Sequence, residues 1–160
     1  MLPKDYPQEN CSIARTLEVL GDRWTLLVVR ELLRGLTKFD ELQASLGVAR
    51  NVLADRLGRL VKEGVVEARA YQEHPLRQEY VPTSKALALR PVLVAVMEWG
   101  DAYYAPRGAP RISVHSGCGG TVHPLLVCDR CEKAVAPQNV TTVAGPGQLG
   151  SGSLVAECLT

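Results

Sequence analysis

The chain has 160 residues, 46% of them hydrophobic, which suffices for one modest core with a small appendage. No stretch approaches the ~20 apolar residues of a membrane span, and residues 1–10 carry no apolar signal core, so we expect a cytoplasmic protein without a membrane partner. A net charge of +1 lacks the basic excess typical of nucleic-acid-binding proteins. In that compartment, the five cysteines indicate metal or redox chemistry rather than structural disulfides.

The first predicted helix begins after Cys11, with Ser12 as its expected N-cap. Ile13, Leu17 and Leu20 follow along the helix, which suits packing against a partner subunit. Unpaired amides and the dipole at a helix start lower a thiol pKa, so a thiolate at Cys11 would react readily. The alternative is that Cys11 is a small buried residue at a dimer contact.

A second amphipathic helix is predicted to begin near residue 39. Its apolar positions share one side of the helix: Phe39, Leu42 and Leu46. Thr37 with Asp40 three residues later predicts a capping box, and Gly47 is expected to end the helix.

After a tight turn, a helix of roughly fifteen residues is predicted from its apolar stripe, which consists of Leu53, Leu57, Leu60 and Val61. The opposite face carries Asn51, Asp55, Arg59 and Lys62, and Arg50 begins the exposed first turn. Such a helix fits the major groove of DNA, where Arg pairs with guanine edges and Asn with adenine edges. The alternative is an ordinary helical hairpin with a solvated charged face.

Two β-rich runs, residues 65–71 and 77–81, have the length to pair as a hairpin around a turn of residues 73–76. A helix-turn-helix followed by a β-hairpin, the wing, is a winged helix. His74 and Arg77 at the wing tip would then reach DNA phosphates or a narrow minor groove. The alternative is that both are ordinary surface turn residues.

The local charge balance predicts modest DNA affinity. Residues 50–77 contain six basic against four acidic side chains, so each protomer should bind weakly, two half-sites should be needed and binding should weaken with salt. We expect Arg50, Asn51 and Arg59 to contact base edges or lie beside them. We expect Lys38, His74 and Arg77 to contact the DNA backbone.

Two half-sites require a dimer, and the segment from residue 83 to 104 can supply it. Thr83 is a plausible N-cap, and Pro91 predicts a short helix to about Leu89 followed by a longer one. An apolar stripe of helical spacing runs along it: Leu89, Val92, Leu93, Val96, Trp99 and Tyr103. This stripe is wide enough to pack on its own domain and on a second copy.

Residues 11–104 resemble the HxlR-type family of bacterial winged-helix transcription regulators, which belongs to a MarR-like superfamily. The motifs of this resemblance are Cys11; Gly21 with Trp24 and Thr25; Arg77 with Glu79 and Tyr80; and Pro91 with Trp99. The chain departs from the family pattern at Ala49, Leu76, Pro82 and Ala86. The resemblance implies a homodimer built from the terminal helices. It also implies that Cys11 can sense electrophiles or oxidants, as a cysteine there does in some members.

Beyond a break at residues 106–110, His115 and Cys118 form one pair of potential metal ligands, and Cys128 and Cys131 form another. Ligands at this spacing bind a tetrahedral Zn²⁺, since a tight turn brings both side chains to one point. His123 competes with His115 as the fourth ligand. A redox-active dithiol and inert surface thiols are the alternatives. With no evident general base nearby, a structural or partner-binding role for the metal is expected rather than an enzyme.

The fold class predicted is α+β, mainly α: a winged helix-turn-helix with terminal dimerisation helices and a small cysteine-rich, zinc-ribbon-like appendage. The expected divisions are residues 1–105 for DNA binding and dimerisation, 106–110 as linker, 111–137 as the zinc-ribbon-like module and 138–160 as a flexible, Gly- and Ser-rich tail. Cys158 in that tail has no assigned task.

The sequence therefore predicts a homodimeric, sequence-specific DNA-binding regulator, a repressor, that binds double-stranded DNA at a palindromic operator and responds to redox state through Cys11. Two further hypotheses stay open. One is a zinc-ribbon adaptor whose winged helix docks proteins, which the near-neutral charge favours. The other is an enzyme with Cys128 and Cys131 as a dithiol couple, which would need free thiols.

Overall fold

The computed structural model describes residues 11–147. Cys158 and most of the predicted tail therefore lie outside the described residues. The chain divides into two compact units: Thr16–Pro124, and a second unit that comprises residues 11–15 and 125–147 of the described part. The domain boundaries expected from the sequence stay predictions.

The architecture is a winged helix-turn-helix, mainly helical with one two-stranded antiparallel sheet, as the sequence predicted. The elements in chain order are α1 (Ser12–Leu20), α2 (Arg23–Leu33), α3 (Phe39–Leu46), α4 (Arg50–Lys62), β1 (Val66–Gln72), β2 (Arg77–Pro82), α5 (Ser84–Leu87) and α6 (Arg90–Tyr104). A single 3-10 turn follows at Pro137–Asn139. Among residues 11–147, no helix is both long and apolar enough to cross a membrane.

The core of the larger unit is formed where α2, α3 and α4 meet. Leu42 of α3 and the predicted α4 stripe of Leu53, Leu57 and Leu60 are fully buried. Each such side chain contributes about 1.5–3 kcal/mol on transfer from water. The predicted partner of this stripe, Val61, is only half-buried at the edge of the cluster.

The turn between α3 and α4 follows from its glycine. Gly47 adopts a left-handed conformation with φ of 62° and its N–H donates to Gln43, which ends α3 where the sequence predicted. The predicted capping box at Thr37 and Asp40 is wrong. The N-cap is Lys38, and its N–H donates to the Glu41 carboxylate at 3.4 Å, because α3 begins one residue later than the Thr37 cap requires.

The wing forms as predicted, with β1 and β2 antiparallel and residues 73–76 in the turn. The register pairs Val66 with Pro82 and slips between Ala70 and Gln72, where a bulge bends β1. Tyr80 N–H donates to the Thr37 carbonyl at 2.8 Å. The wing is therefore fastened to the segment that leads into α3.

The break before the last helix also matches the sequence. Thr83 is the N-cap of α5, and Pro91 occupies the first turn of α6, where its missing N–H costs no hydrogen bond. Leu89 and Leu93 pack against the core, and Val94 is buried.

The core contains a carboxylate that was not predicted, because Glu31 of α2 is fully buried. Its side chain accepts from Arg30 Nε at 2.8 Å and from an Arg34 guanidinium nitrogen at 2.9 Å. Burial acts to raise the pKa of Glu31, but the hydrogen bond and charge of Arg30, the charge of Arg34 and a hydrogen bond from Ser45 hold it below its usual value. Glu31 therefore joins α2 to Ser45 of α3 as an anion.

Glu31→Gln should lower the free energy of unfolding at pH 7 by roughly 1–3 kcal/mol, because a buried charged hydrogen-bond network loses its anion. The folded-state pKa is lowered, so the stability contributed by Glu31 is present above the unfolded pKa and is lost as pH falls through the folded one. Urea titrations between pH 7 and 3 should show the variant and wild type converging at acid pH. Glu67→Gln, at an exposed carboxylate of β1, is the control and should leave the free energy of unfolding close to that of the wild type. A constant difference across the range would contradict this account.

Candidate nucleic-acid interface and cysteine sites

The first turn of α4 is exposed, because the buried leucine stripe fixes the rotation of the helix. Arg50 is its first residue and Asn51 its second, and both side chains face solvent as predicted. Ala54, Asp55 and Gly58 continue the same exposed surface along the helix. The turn between α3 and α4 therefore presents a donor-rich helix end without burying any of its polar groups.

Arg50 is oriented by α3. Its guanidinium carbon lies 4.6 Å from the centre of the Phe39 ring, and one nitrogen lies 3.3 Å from Asp40 Oδ1. Both charged side chains are largely exposed, so the pair is weak and exchangeable. Asp40 was predicted as part of a helix cap, and its contact with Arg50 was not predicted.

Arg59 lies apart from Arg50 and Asn51. Its side chain is half-buried and donates to the backbone carbonyl of Glu18, near the end of α1. The neighbouring Arg56 is 13% exposed and pairs with Asp22 at 2.8 Å. Asp22 is the N-cap of α2 and also accepts from Trp24 N–H at 3.1 Å. Both arginines therefore hold α4 against its neighbours. This role was not predicted, because the spacing of apolar residues does not show which polar side chains of a helix contact another segment.

The predicted backbone-contacting residues lie at the wing and beside it. His74 and Arg77 are exposed at the wing turn, where Gln72 Nε2 donates to the His74 carbonyl at 3.0 Å. Lys38 is half-exposed, with its ammonium 5.7 Å from the centre of the Tyr71 ring and 3.9 Å from Glu41 Oε1. On β1, a hydrogen bond from Arg69 holds the pKa of Glu67 below its usual value.

Cys11 occupies the position before the first residue of α1. Its carbonyl accepts from Arg15 N–H at 3.0 Å, so Cys11 is itself the N-cap, one residue earlier than the Ser12 predicted. The thiol is half-buried and is not in a disulfide.

The predicted metal ligands lie in two short hairpins, closed by backbone pairs between Val114 and Thr121 and between Val127 and Ala134. In the first, His115 Nδ1 lies 3.2 Å from Cys118 Sγ. In the second, hydrogen bonds from the backbone of Cys131 and Arg130 hold the pKa of Cys128 below its usual value. These residues belong to different units, and within residues 11–147 no three His, Cys, Asp or Glu side chains gather into a group that could hold a metal ion.

His123, the competing ligand, contacts a different group. Its Nδ1 is in contact with the Glu98 carboxylate of α6. Glu98 and His123 are both partly exposed.

The model of the HxlR-like helix-turn-helix family matches residues 19–107. An uncharacterised HTH-type transcriptional regulator of Mycobacterium tuberculosis is 39% identical over 140 residues, which cover 87% of this chain and 89% of the relative. The aligned stretch therefore extends beyond the last residue of the family match.

Two solved structures of proteins described as regulators are also similar to this chain. The crystal structure of PA1607, a proposed transcription factor, superposes with a TM-score of 0.76 and 40% identity, over 86% of this chain and 97% of the other. The redox regulator HypR in its reduced form superposes with a TM-score of 0.54 and 25% identity, over 57% of this chain and 92% of the other.

Proposed function

The chain belongs to the HxlR-like helix-turn-helix family, and from that premise we propose that it is a homodimeric, sequence-specific repressor that binds a palindromic operator in double-stranded DNA. As a member of that family it is a DNA-binding transcriptional regulator. The observation that best supports sequence-specific binding is the exposed first turn of α4. Three fully buried leucines on the opposite face of the helix fix its orientation.

In the proposed complex, α4 enters the major groove and Arg50 and Asn51 read base edges. Arg50 has to exchange Asp40 for a guanine edge or a phosphate, and the exposure of that pair makes the exchange inexpensive. Arg59 remains in the proposal as a neighbouring contact. It would first have to release the Glu18 carbonyl.

Lys38, His74 and Arg77, at the wing and beside it, are proposed to contact the sugar-phosphate backbone. Such contacts set the position of the protein on the duplex and carry no sequence information of their own. Because the whole chain carries a net charge of only +1, the non-specific electrostatic contribution is small, and two linked half-sites are needed for useful affinity.

A dimer is supported by the outward face of α6. Val92, Val96, Trp99 and Tyr103 are 45%, 50%, 58% and 71% exposed and lie on one side of the helix. Trp99 contacts the rings of Tyr103 and Tyr104 at 5.5 and 5.3 Å between centroids. Leu17 on α1 is 48% exposed. An exposed apolar helix face of this kind marks an interaction site, and we propose that a second copy covers the α6 face.

Redox control through Cys11 is part of the proposal. It is supported by the thiol's place at the start of α1 and by the similarity to a protein described as a redox regulator. Oxidation or alkylation of Cys11, or a disulfide to the partner subunit, would alter the packing of α1 and with it the spacing of the two recognition helices.

The second candidate is an adaptor that uses the winged helix for protein docking, favoured by the near-neutral charge. An adaptor needs no sequence preference. Binding to random duplexes and to a selected duplex should then be equal and weak.

Asn51→Ala should reduce binding to the operator by about 1–3 kcal/mol and relax the preference at one base pair per half-site. Arg77→Ala should weaken operator and random DNA alike and lower the salt dependence. Fluorescence anisotropy at several salt concentrations with both duplexes measures each effect. Equal losses on both duplexes for Asn51→Ala would refute its base-reading role.

Val96→Glu should dissociate the dimer, because a carboxylate cannot be desolvated without a partner in an apolar interface. Leu76→Glu is a matched control, since Leu76 is an exposed apolar residue of the wing, 65% exposed and away from α6. Sedimentation velocity should report a monomer for the first variant and a dimer for the second. A dimeric Val96→Glu protein would rule out the α6 face as the interface.

Cys11→Ser should abolish the effect of diamide on DNA binding, because the serine hydroxyl cannot form the disulfide or sulfenic acid that changes the packing of α1. Reduced variant and reduced wild type should bind the operator equally well. Anisotropy titrations before and after diamide treatment measure the response. A variant that still loses affinity on oxidation would place the sensor at another thiol.

A further inference from the structure

The hairpin of residues 126–135, which we call the cysteine hairpin, places Cys128 and Cys131 at the two ends of one tight turn. Cys128 N–H donates to the Lys133 carbonyl at 3.1 Å, which pairs the two sides of the hairpin. Glu132 N–H donates back to the Cys128 carbonyl at 2.9 Å and closes the turn across both cysteines. The whole cysteine hairpin lies within the second of the two units.

The turn contains an unusual backbone conformation directly after Cys131. Glu132 has a φ of 56°, and among residues 11–147 it is the only residue other than glycine with a positive φ. L-residues avoid this region because the Cβ atom approaches a backbone carbonyl oxygen, and such conformations persist where the surrounding structure requires them, often at functional sites. The left-handed residue reverses the chain after Cys131, so that the Glu132 N–H can reach the Cys128 carbonyl.

The turn brings the two thiols into contact. The Cys131 side chain hydrogen-bonds to the Cys128 sulfur. The first and last residues of a four-residue turn have Cα atoms less than about 7 Å apart, and a disulfide usually joins residues whose Cα atoms are about 4.4–6.8 Å apart. Cys131 is exposed, Cys128 is half-buried, and both are free thiols. The cysteine hairpin therefore holds two thiols at a separation that suits a disulfide, with one of them open to reagents in solution.

Of the roles that the sequence leaves open for this pair, the geometry supports the dithiol. A structural zinc site needs four donors, and within residues 11–147 no third His, Cys, Asp or Glu side chain gathers with the two thiols. The hairpin that carries His115 and Cys118 belongs to the other unit and contains a single thiol, 3.2 Å from His115 Nδ1. It cannot form a disulfide of its own, so the cysteine hairpin is the one of the two that can.

We propose that Cys128 and Cys131 form a reversible dithiol–disulfide couple that reacts with low-molecular-weight disulfides. The thiolate of the exposed Cys131 attacks one sulfur of the reagent, which releases one small thiolate and leaves a mixed disulfide on Cys131. The Cys128 thiolate then attacks Cys131 Sγ, and the second small thiolate leaves. Two electrons pass from the cysteines to the reagent, and the two cysteine protons pass through solvent to the released thiolates.

This couple is separate from the redox response proposed for Cys11, and it does not depend on the proposed regulator function. Its disulfide closes within the cysteine hairpin and joins no second chain. A disulfide through Cys11 to the partner subunit, by contrast, would link two chains. Oxidation of Cys128 and Cys131 should therefore leave the oligomeric state of the protein unchanged.

The test uses the full chain, reduced, treated with a chelator and equilibrated with oxidised glutathione. Arg130 separates the two cysteines, so after alkylation a tryptic cut there leaves fragments that only a disulfide can join. By mass spectrometry, we expect the fragment that begins at Cys131 to remain joined to the one that ends at Arg130 until a reductant is added. Cys118→Ser and Cys11→Ser should retain this link. Cys128→Ser should stop at a glutathione adduct on Cys131.

A matched pair of variants at Glu132 tests whether the turn is what pairs the thiols. Both variants remove the carboxylate, so the charge beside Cys131 changes equally. Glu132→Gly accommodates a positive φ without a steric cost and should keep the equilibrium constant for disulfide formation with glutathione close to that of the wild type. Glu132→Val introduces a β-branched residue that disfavours this conformation, and it should lower the constant about 5-fold or more relative to Glu132→Gly.

Far-UV circular dichroism checks that the helices of each variant are intact. Four results would overturn the proposal. These are a wild-type protein that does not form the link, a link that survives in Cys128→Ser, a link that is lost in Cys118→Ser, and equal constants for the two Glu132 variants.

Discussion

The burial of one face of α4 is the constraint on which the rest of the structure depends. Leu53, Leu57 and Leu60 are each fully buried, and a helix of this length has only one rotation that buries all three. That rotation leaves Arg50 and Asn51 exposed. The ion pair of Arg56 with Asp22 then fastens the same helix to the start of α2. The surface proposed to bind DNA is thus a consequence of the core and not of the polar residues themselves.

The two faces of α6 also differ in burial. Leu89, which precedes it, and Leu93 pack against the core, while Val96 and Trp99 point outwards. A helix that buried only its inward face would need polar residues on the other. Its continued apolar character supports the proposed dimer, and a dimer in turn sets the distance between two copies of α4. Cys11, at the start of α1, lies on a helix that carries the exposed Leu17.

The elements that local chemistry determines were predictable from the sequence. Gly47 ends α3, residues 73–76 turn the wing, and Pro91 separates α5 from α6, because each requires only the conformational preference of a few consecutive residues. The buried stripe of α4 was predictable from its period. The pairs at His115 and Cys128 were identified by spacing alone, although the roles proposed for them remain predictions.

Contacts between distant segments were not predictable. Nothing near Arg59 in the sequence points to the Glu18 carbonyl, and nothing marks Glu31 as a buried anion held by Arg30 and Arg34. The left-handed conformation of Glu132, in the hairpin that carries Cys128 and Cys131, was also not predictable, because a glutamate rarely adopts it. Such features depend on how the chain packs in three dimensions, and the spacing of residues along the sequence does not show this.

Selection of the reduced protein's binding sites from a library of random DNA duplexes tests the central claim most directly. If the exposed first turn of α4 reads bases in a two-fold symmetric dimer, the enriched sequences should contain two inverted half-sites whose centres lie about 10 base pairs apart, or a multiple of that. If no sequence is enriched over the starting library, the winged helix does not read DNA and the adaptor hypothesis takes precedence.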